Sequence, residues 1–233
     1  MEAIILAGGL GTRLRSIVKE VPKCMAPVCG MPFLHYQLQY LSKFQEIKRV
    51  ILSVGYLREV IFDWIDQQRD LPFEISYAIE ETPLGTGGGI KLALSELTTK
   101  EAIILNGDTF FDVDLQQLAA AGANSKQAIT LALKKMEDFD RYGTVSLNEE
   151  GIIKKFHEKQ PCKEGLINGG IYYIDLNKIA LSEFPDKGSF EKEVLETNVE
   201  RDNLRGYISD GYFIDIGIPE DYKKANNDFI HIW

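Results

Sequence analysis

Residues 6–14 read Leu6-Ala7-Gly8-Gly9-Leu10-Gly11-Thr12-Arg13-Leu14 and follow directly on a short apolar run over residues 3–7. Glycines in such a loop let backbone N–H groups converge on phosphate oxygens without side-chain interference. Arg13 adds a fixed fork of donors suited to phosphate. Two familiar phosphate loops can be tested and both fail. A P-loop requires a glycine, four residues and then Gly-Lys-Ser/Thr, and no such string occurs; the dinucleotide fingerprint puts a third glycine where this chain has Leu14. A second cation, Lys23, follows Pro22, so Arg13 and Lys23 bracket the loop. Two aspartates offer metal chemistry. Asp108, in Asn106-Gly107-Asp108, follows an apolar run and either holds Mg²⁺ or caps the next turn. Asp215 lies between apolar neighbours in Phe213-Ile214-Asp215-Ile216-Gly217, where an unpaired charge is costly and a metal would explain it.

These residues need elements to place them. Short β-branched runs over residues 3–7, 49–54, 73–79 and 102–105 read as strands. Apolar spacing over 34–41, 60–65 and 88–97 reads as helices. That alternation implies an α/β fold with a largely parallel sheet covered by helices on both faces. After Asp108 the pattern becomes mixed. Strands are expected over 128–134, 143–147, 152–156, 170–174, 207–208 and 212–216, with helices over 190–195 and 219–229, the last opening on Pro219. No linker or repeat interrupts the chain, so residues 1–233 read as one domain whose second half forms an insertion or lip on the same sheet.

Composition narrows the partners. With 45% apolar and 26% charged residues the chain is globular rather than disordered. A net charge of −9 repels nucleic acid and anionic lipid, so neither a nucleic acid nor a membrane is expected as partner. No apolar run reaches the length of a bilayer span, and the opening Met1-Glu2-Ala3 lacks a cationic leader. Three sparse cysteines, Cys24, Cys29 and Cys162, make no disulfide framework and suit a reducing, cytoplasmic setting. Neither Cys24 with Cys29 nor His157 with Cys162 has the tight spacing of a zinc site. The sequence leaves a homo-oligomer open.

The glycine run, Thr12-Arg13 and Pro22-Lys23, in that order, resemble the signature of sugar-1-phosphate nucleotidyltransferases, and the likeness extends along nearly the whole chain. It implies a Rossmann-like nucleotidyltransferase (GT-A-like) fold, with a mixed, mainly parallel sheet flanked by helices. The implied reaction is attack by a sugar 1-phosphate oxygen on the α-phosphorus of a nucleoside triphosphate, releasing pyrophosphate. In that family the two aspartate positions hold the catalytic Mg²⁺, which carries over to Asp108 and Asp215. Arg13, Lys23 and Asp108 become the catalytic set. Leu6, Gly8, Gly9, Gly11 and Thr12 become the nucleotide loop. A second proline often follows Pro-Lys in these enzymes; here it is Cys24.

The family also assigns Glu80-Glu81-Thr82-Pro83-Leu84-Gly85-Thr86 to the base, with Glu80, Gly85 and Thr86 in contact. A carboxylate accepts two parallel hydrogen bonds from guanine N1–H and N2–H₂, whereas uracil and thymine offer one N–H between carbonyls, so GTP is favoured. Gly143, Glu158, Lys159, Asn168 and Gly169 carry over as the sugar-phosphate pocket, with Lys159 on the phosphate and Glu158, the Gly143 N–H and the Asn168 side chain on hydroxyls. Residues 207–222 resemble the branch of the family that joins GTP to a manno-heptose 1-phosphate. Other nucleotide and sugar pairs, and a non-catalytic sensor of nucleotide sugars, remain alternatives. The chain ends near its closing helix, so no acetyltransferase domain is expected.

Overall fold

The computed structural model describes residues 1–9, 14 and 21–232. In chain order the elements are β1 (Glu2–Leu6), β2 (Pro27–Val28), β3 (Met31–Pro32), α1 (Phe33–Leu41), β4 (Arg49–Val54), α2 (Arg58–Ile65), β5 (Glu74–Ile79), α3 (Gly85–Ser95), β6 (Glu101–Asn106) and β7 (Thr109–Phe111). They continue with α4 (Leu115–Ala123), β8 (Ile129–Phe139), β9 (Val145–Leu147), β10 (Ile153–Phe156), β11 (Cys162–Asp175), α5 (Glu196–Val199), β12 (Leu204–Ser209), β13 (Phe213–Asp215) and α6 (Pro219–Ile232).

Seven strands form one sheet in the order β12-β8-β11-β6-β1-β4-β5. Among the described residues four of its six neighbouring pairs are parallel, and β11 runs antiparallel to both β6 and β8. The central strands are continuously apolar because both of their faces are buried. Ala3 and Ile5 of β1, Val50 and Leu52 of β4, and Ile103 and Leu105 of β6 enter the core beneath α1 and α6. The alternate residues Ile4, Ile51 and Ile104 enter the opposite core beneath α3, with Phe184 and Phe190. From β1 the chain winds outward through β4 to β5 and then returns to β6 on the other side of β1. The carboxyl ends of β1 and β6 therefore flank a topological switch point, the place where open α/β sheets bind ligands.

The mixed, mainly parallel sheet with flanking helices is the expected one. The short strands β2, β3 and β7 were not foreseen, and three longer stretches also differ. α4, absent from the periodicity reading, starts at Asp114, whose carboxylate accepts the N–H groups of Gln116 and Gln117. The strands expected over 128–134 and 170–174 are parts of longer ones, β8 and β11, which run together as a two-stranded arm. Their far ends carry charge, which hides a strand from an apolar-run search. The helix expected over 190–195 is a wide π-type turn, Glu191–Leu195, that leads into α5. β8, β11 and β12 extend the main sheet, while β9 and β10 form a ribbon beside it, so the second half is both extension and lip. No helix among the described residues is long and apolar enough to cross a membrane.

Candidate active site

The switch point opens into a cleft of about 510 Å³. Leu6, Gly8, Gly9, Lys23, Glu80, Gly85, Thr86, Asp108 and Asp215 all line it, so nine residues singled out from sequence meet in one place. Gly11, Thr12 and Arg13 lie outside the described residues.

Each side chain is placed by a local device. Asp108 sits in the tight turn between β6 and β7. Gly107 is required there: a Cβ on it would lie 2.2 Å from the Leu6 carbonyl oxygen, and its N–H donates to that same oxygen at 3.2 Å. The turn is thereby pressed onto the end of β1. β7 pairs antiparallel with β13, with Thr109 opposite Asp215, and the Ile216 N–H donates to the Asp108 carbonyl at 2.9 Å. This small ribbon brings together two aspartates far apart in sequence. Asp215 Oδ1 also accepts the Gly217 N–H at 2.7 Å.

Lys23 opens a short 3₁₀ turn, Lys23–Met25, immediately after Pro22. Its ammonium is hydrogen-bonded to Asp108 and lies 3.6 Å from Asp215 Oδ1, with the side chain only 9% exposed. Both carboxylates thus already converge on one positive charge. Beneath this turn Cys24 is buried, its thiol pushed up to about 12 by burial and directed at the Ala7 carbonyl. The cysteine in the position of a second proline is thus buried against the Ala7 carbonyl at the edge of the cleft.

On the opposite wall Glu80 leaves the end of β5. Its Oε2 accepts the Leu84 N–H at 3.0 Å and its Oε1 accepts the Ser53 hydroxyl at 3.2 Å. One donor on each oxygen fixes the plane of the carboxylate. Gly85 has φ +74° and a Cβ there would stand 2.4 Å from the Gly188 carbonyl, so only glycine fits. Gly87 and Gly88 back onto Pro185 and Asp186. The glycine-rich stretch is thus the first turn of α3, and the close approach made there is by the chain's own 185–190 segment. Thr86 joins the two, donating to Glu191 Oε2 at 3.0 Å and accepting the Phe190 N–H at 2.9 Å.

The other expected residues gather on a rim beside the β7–β13 ribbon. Asn168 and Gly169 lie at an irregularity of β11, and Gly169 abuts the Phe111 ring of β7. Asn168 Nδ2 donates to the Tyr172 hydroxyl at 2.9 Å. Gly143 lies against the His157 carbonyl, and the His157 N–H donates to Thr144 at 2.8 Å, which brings Glu158 and Lys159 to the same edge, both exposed. Tyr142 packs on Phe213 at 5.9 Å between ring centroids. Its hydroxyl is held well above its usual range by burial first, and then by Asp215 and Asp221. The surrounding field is therefore acidic, and Lys23 is the cationic side chain lining the cleft among the described residues.

The sequence reading missed Ser53, Asn106, Thr109 and Glu191, all of which line the cleft or touch its walls. Ser53 had a signal: it is a lone hydroxyl in the otherwise apolar run over residues 50–54 of β4.

A model described as nucleotidyl transferase matches residues 2–231. D-glycero-alpha-D-manno-heptose 1-phosphate guanylyltransferase of Aneurinibacillus thermoaerophilus is 48% identical over 231 residues, covering 99% of each chain. The protein of the same name from Campylobacter jejuni subsp. jejuni serotype O:2 is 51% identical over 225 residues, covering 95% of this chain and 97% of its own. HddC from Yersinia pseudotuberculosis, solved complexed with GMP-PN, superposes with a TM-score of 0.84 at 34% identity, covering 98% of this chain and 99% of that one.

Proposed function

This chain belongs to the nucleotidyl transferase family, and on that premise we propose that it transfers GMP from GTP to D-glycero-α-D-manno-heptose 1-phosphate. The products are GDP-D-glycero-α-D-manno-heptose, of the kind that feeds surface-glycan assembly, and pyrophosphate. The observation that carries the reading is the near-full-length identity of 48% and 51% to two proteins of that name. The whole span 1–233 acts as one domain in this reading, in the cytoplasm, where GTP is available.

The chemistry asks for positioning and charge neutralisation more than for proton transfer, because the attacking oxygen belongs to an ionised phosphate. Asp108 and Asp215 fit a divalent metal: they already converge on one cation, and Mg²⁺ typically takes one or two carboxylates with phosphate oxygens and water completing its shell. When bound there, Mg²⁺ neutralises charge on the triphosphate. Lys23 and Arg13 offset charge on the transferred phosphoryl group and the departing pyrophosphate. Leu6, Gly8, Gly9, Gly11 and Thr12 form the phosphate-side loop, with Gly85 and Thr86 on the base side. Glu80, its plane set by Ser53 and Leu84, accepts guanine N1–H and N2–H₂. Gly143, Glu158 and Asn168 serve the sugar hydroxyls and Lys159 the sugar phosphate, with Gly169 completing the pocket.

The test is a matrix of four nucleoside triphosphates against heptose, mannose and glucose 1-phosphates with Mg²⁺, read by pyrophosphate release. GTP with the heptose phosphate is expected to turn over fastest. A faster rate with any other pair overturns the assignment.

A further inference from the structure

We infer that Gln37 is the positioning residue for Asp108: a single buried amide on α1 staples the turn that presents this aspartate to the cleft. The inference rests on the reading of Asp108 as a metal ligand. Gln37 is 1% exposed. Its Nε2 donates to the Asn106 carbonyl at 2.8 Å and to the Thr109 carbonyl at 2.9 Å, so the two acceptors flank Gly107-Asp108 on either side. Both protons of one amide are spent on closing the same four-residue turn.

Burying a polar side chain on the apolar side of a helix is costly unless it is satisfied. Gln37 stands among Leu34, Leu38 and Leu41, and its Oε1 has no hydrogen-bond partner among the described residues. The side chain is therefore retained for its donors. An apolar residue there would take away the donor that these two carbonyls share, at the point where Asp108 must be held still.

α1 is a suitable anchor because the other half of the site hangs from it too. The Phe33 N–H donates at 3.0 Å to the carbonyl of Ala26, which follows the turn carrying Lys23. Three residues beyond Gln37 on the same helix, the Tyr40 hydroxyl donates to the Val113 carbonyl and accepts its N–H at 3.2 Å. Gln37 and Tyr40 thus hold the two ends of the segment between β6 and α4. Tyr40 provides a control: it makes a comparable buried main-chain attachment away from Asp108.

The experiment compares wild type, Q37M, Y40F and D108N by titration of free protein with Mn²⁺, read by loss of the free-ion EPR signal. Thermal midpoints, kcat and KM for GTP are measured on the same samples. Q37M is expected to weaken Mn²⁺ binding and lower kcat about 10- to 100-fold, the usual effect of removing a group that orients a metal ligand, with KM for GTP changed less. Y40F is expected to lose thermal stability while keeping Mn²⁺ affinity within about twofold of wild type. Q37N, which keeps the donors on a shorter arm, takes the place of Q37M if that variant does not fold. Weakened Mn²⁺ binding in D108N with wild-type binding in Q37M overturns the role of Gln37. Equal weakening in Q37M and Y40F overturns it as well, since the effect would then be general loosening. Wild-type Mn²⁺ binding in D108N overturns the metal reading beneath it.

Discussion

Replacing Lys23 by methionine removes a charge that Asp108 and Asp215 share. Lys23 Nζ lies 3.6 Å from Asp215 Oδ1 and is hydrogen-bonded to Asp108. At an effective dielectric constant of about 20, the Asp215 pair alone is worth about 4 to 5 kcal/mol of gross Coulomb energy. Water reaches both carboxylates, which are 36% and 27% exposed, and screens much of that. The net loss should fall between the values for exposed and for buried pairs, about 2 kcal/mol. For a domain of this size that lowers the thermal midpoint by roughly 4 to 8 °C. The two carboxylates then lose the ammonium they share, so millimolar Mg²⁺ should raise the midpoint of K23M by more than that of wild type. Scanning fluorimetry in EDTA and in Mg²⁺ reads both quantities. An unchanged midpoint in EDTA, or equal Mg²⁺ stabilisation of the two proteins, would refute the argument that the pair forms a single cation seat.

Glu80→Gln should cut kcat/KM for GTP about 10- to 100-fold, because the amide turns a donor toward a guanine donor; an unchanged GTP-to-UTP preference in steady-state kinetics removes the base-reading role. Gly107→Ala should cost about 1 to 3 kcal/mol, since its methyl would stand 2.2 Å from the Leu6 carbonyl oxygen; urea unfolding measures it, and a wild-type midpoint would show that the turn can move. Glu2 supplies a pH test. Burial alone would raise its carboxyl, but the Thr99 and Thr98 N–H groups, the Thr99 hydroxyl and Arg49 outweigh it and hold it below its ordinary 4.5. A lowered folded value means its contribution is complete above about 4.5 and is lost as pH falls through the folded value. Glu2→Gln should therefore lower the thermal midpoint at pH 7, with the gap to wild type narrowing below about pH 4; a gap that stays constant across this range rules the linkage out.

Local pattern was enough for the elements that bury apolar side chains. β1, β4 and β6 read as strands because continuous β-branched runs can be satisfied only between two covered faces. Leu6, Gly8, Gly9, Lys23 and Asp108, which line the cleft, could be singled out because residue type and order mark them. The arm of β8 and β11 was less so, since half of its length is charged and solvated. α4 escaped because small and amide residues fill a helix marked mainly by its Asp114 cap.

By itself, then, the sequence determined the α/β class, the acidic balance and many of the residues that come to line the cleft. What tertiary structure alone decided was how those groups meet. Asp108 and Asp215 become neighbours through the pairing of β7 with β13; the strand over 212–216 was readable, but three-residue β7 was not, and neither segment names its partner. Gln37 is a polar residue on an apolar helix face until the fold sets the Asn106 and Thr109 carbonyls against it. Such contacts depend on backbone groups brought together by long-range packing, and backbone groups are the same at every position of the chain. Only the folded geometry distinguishes the carbonyl that needs a partner from all the others.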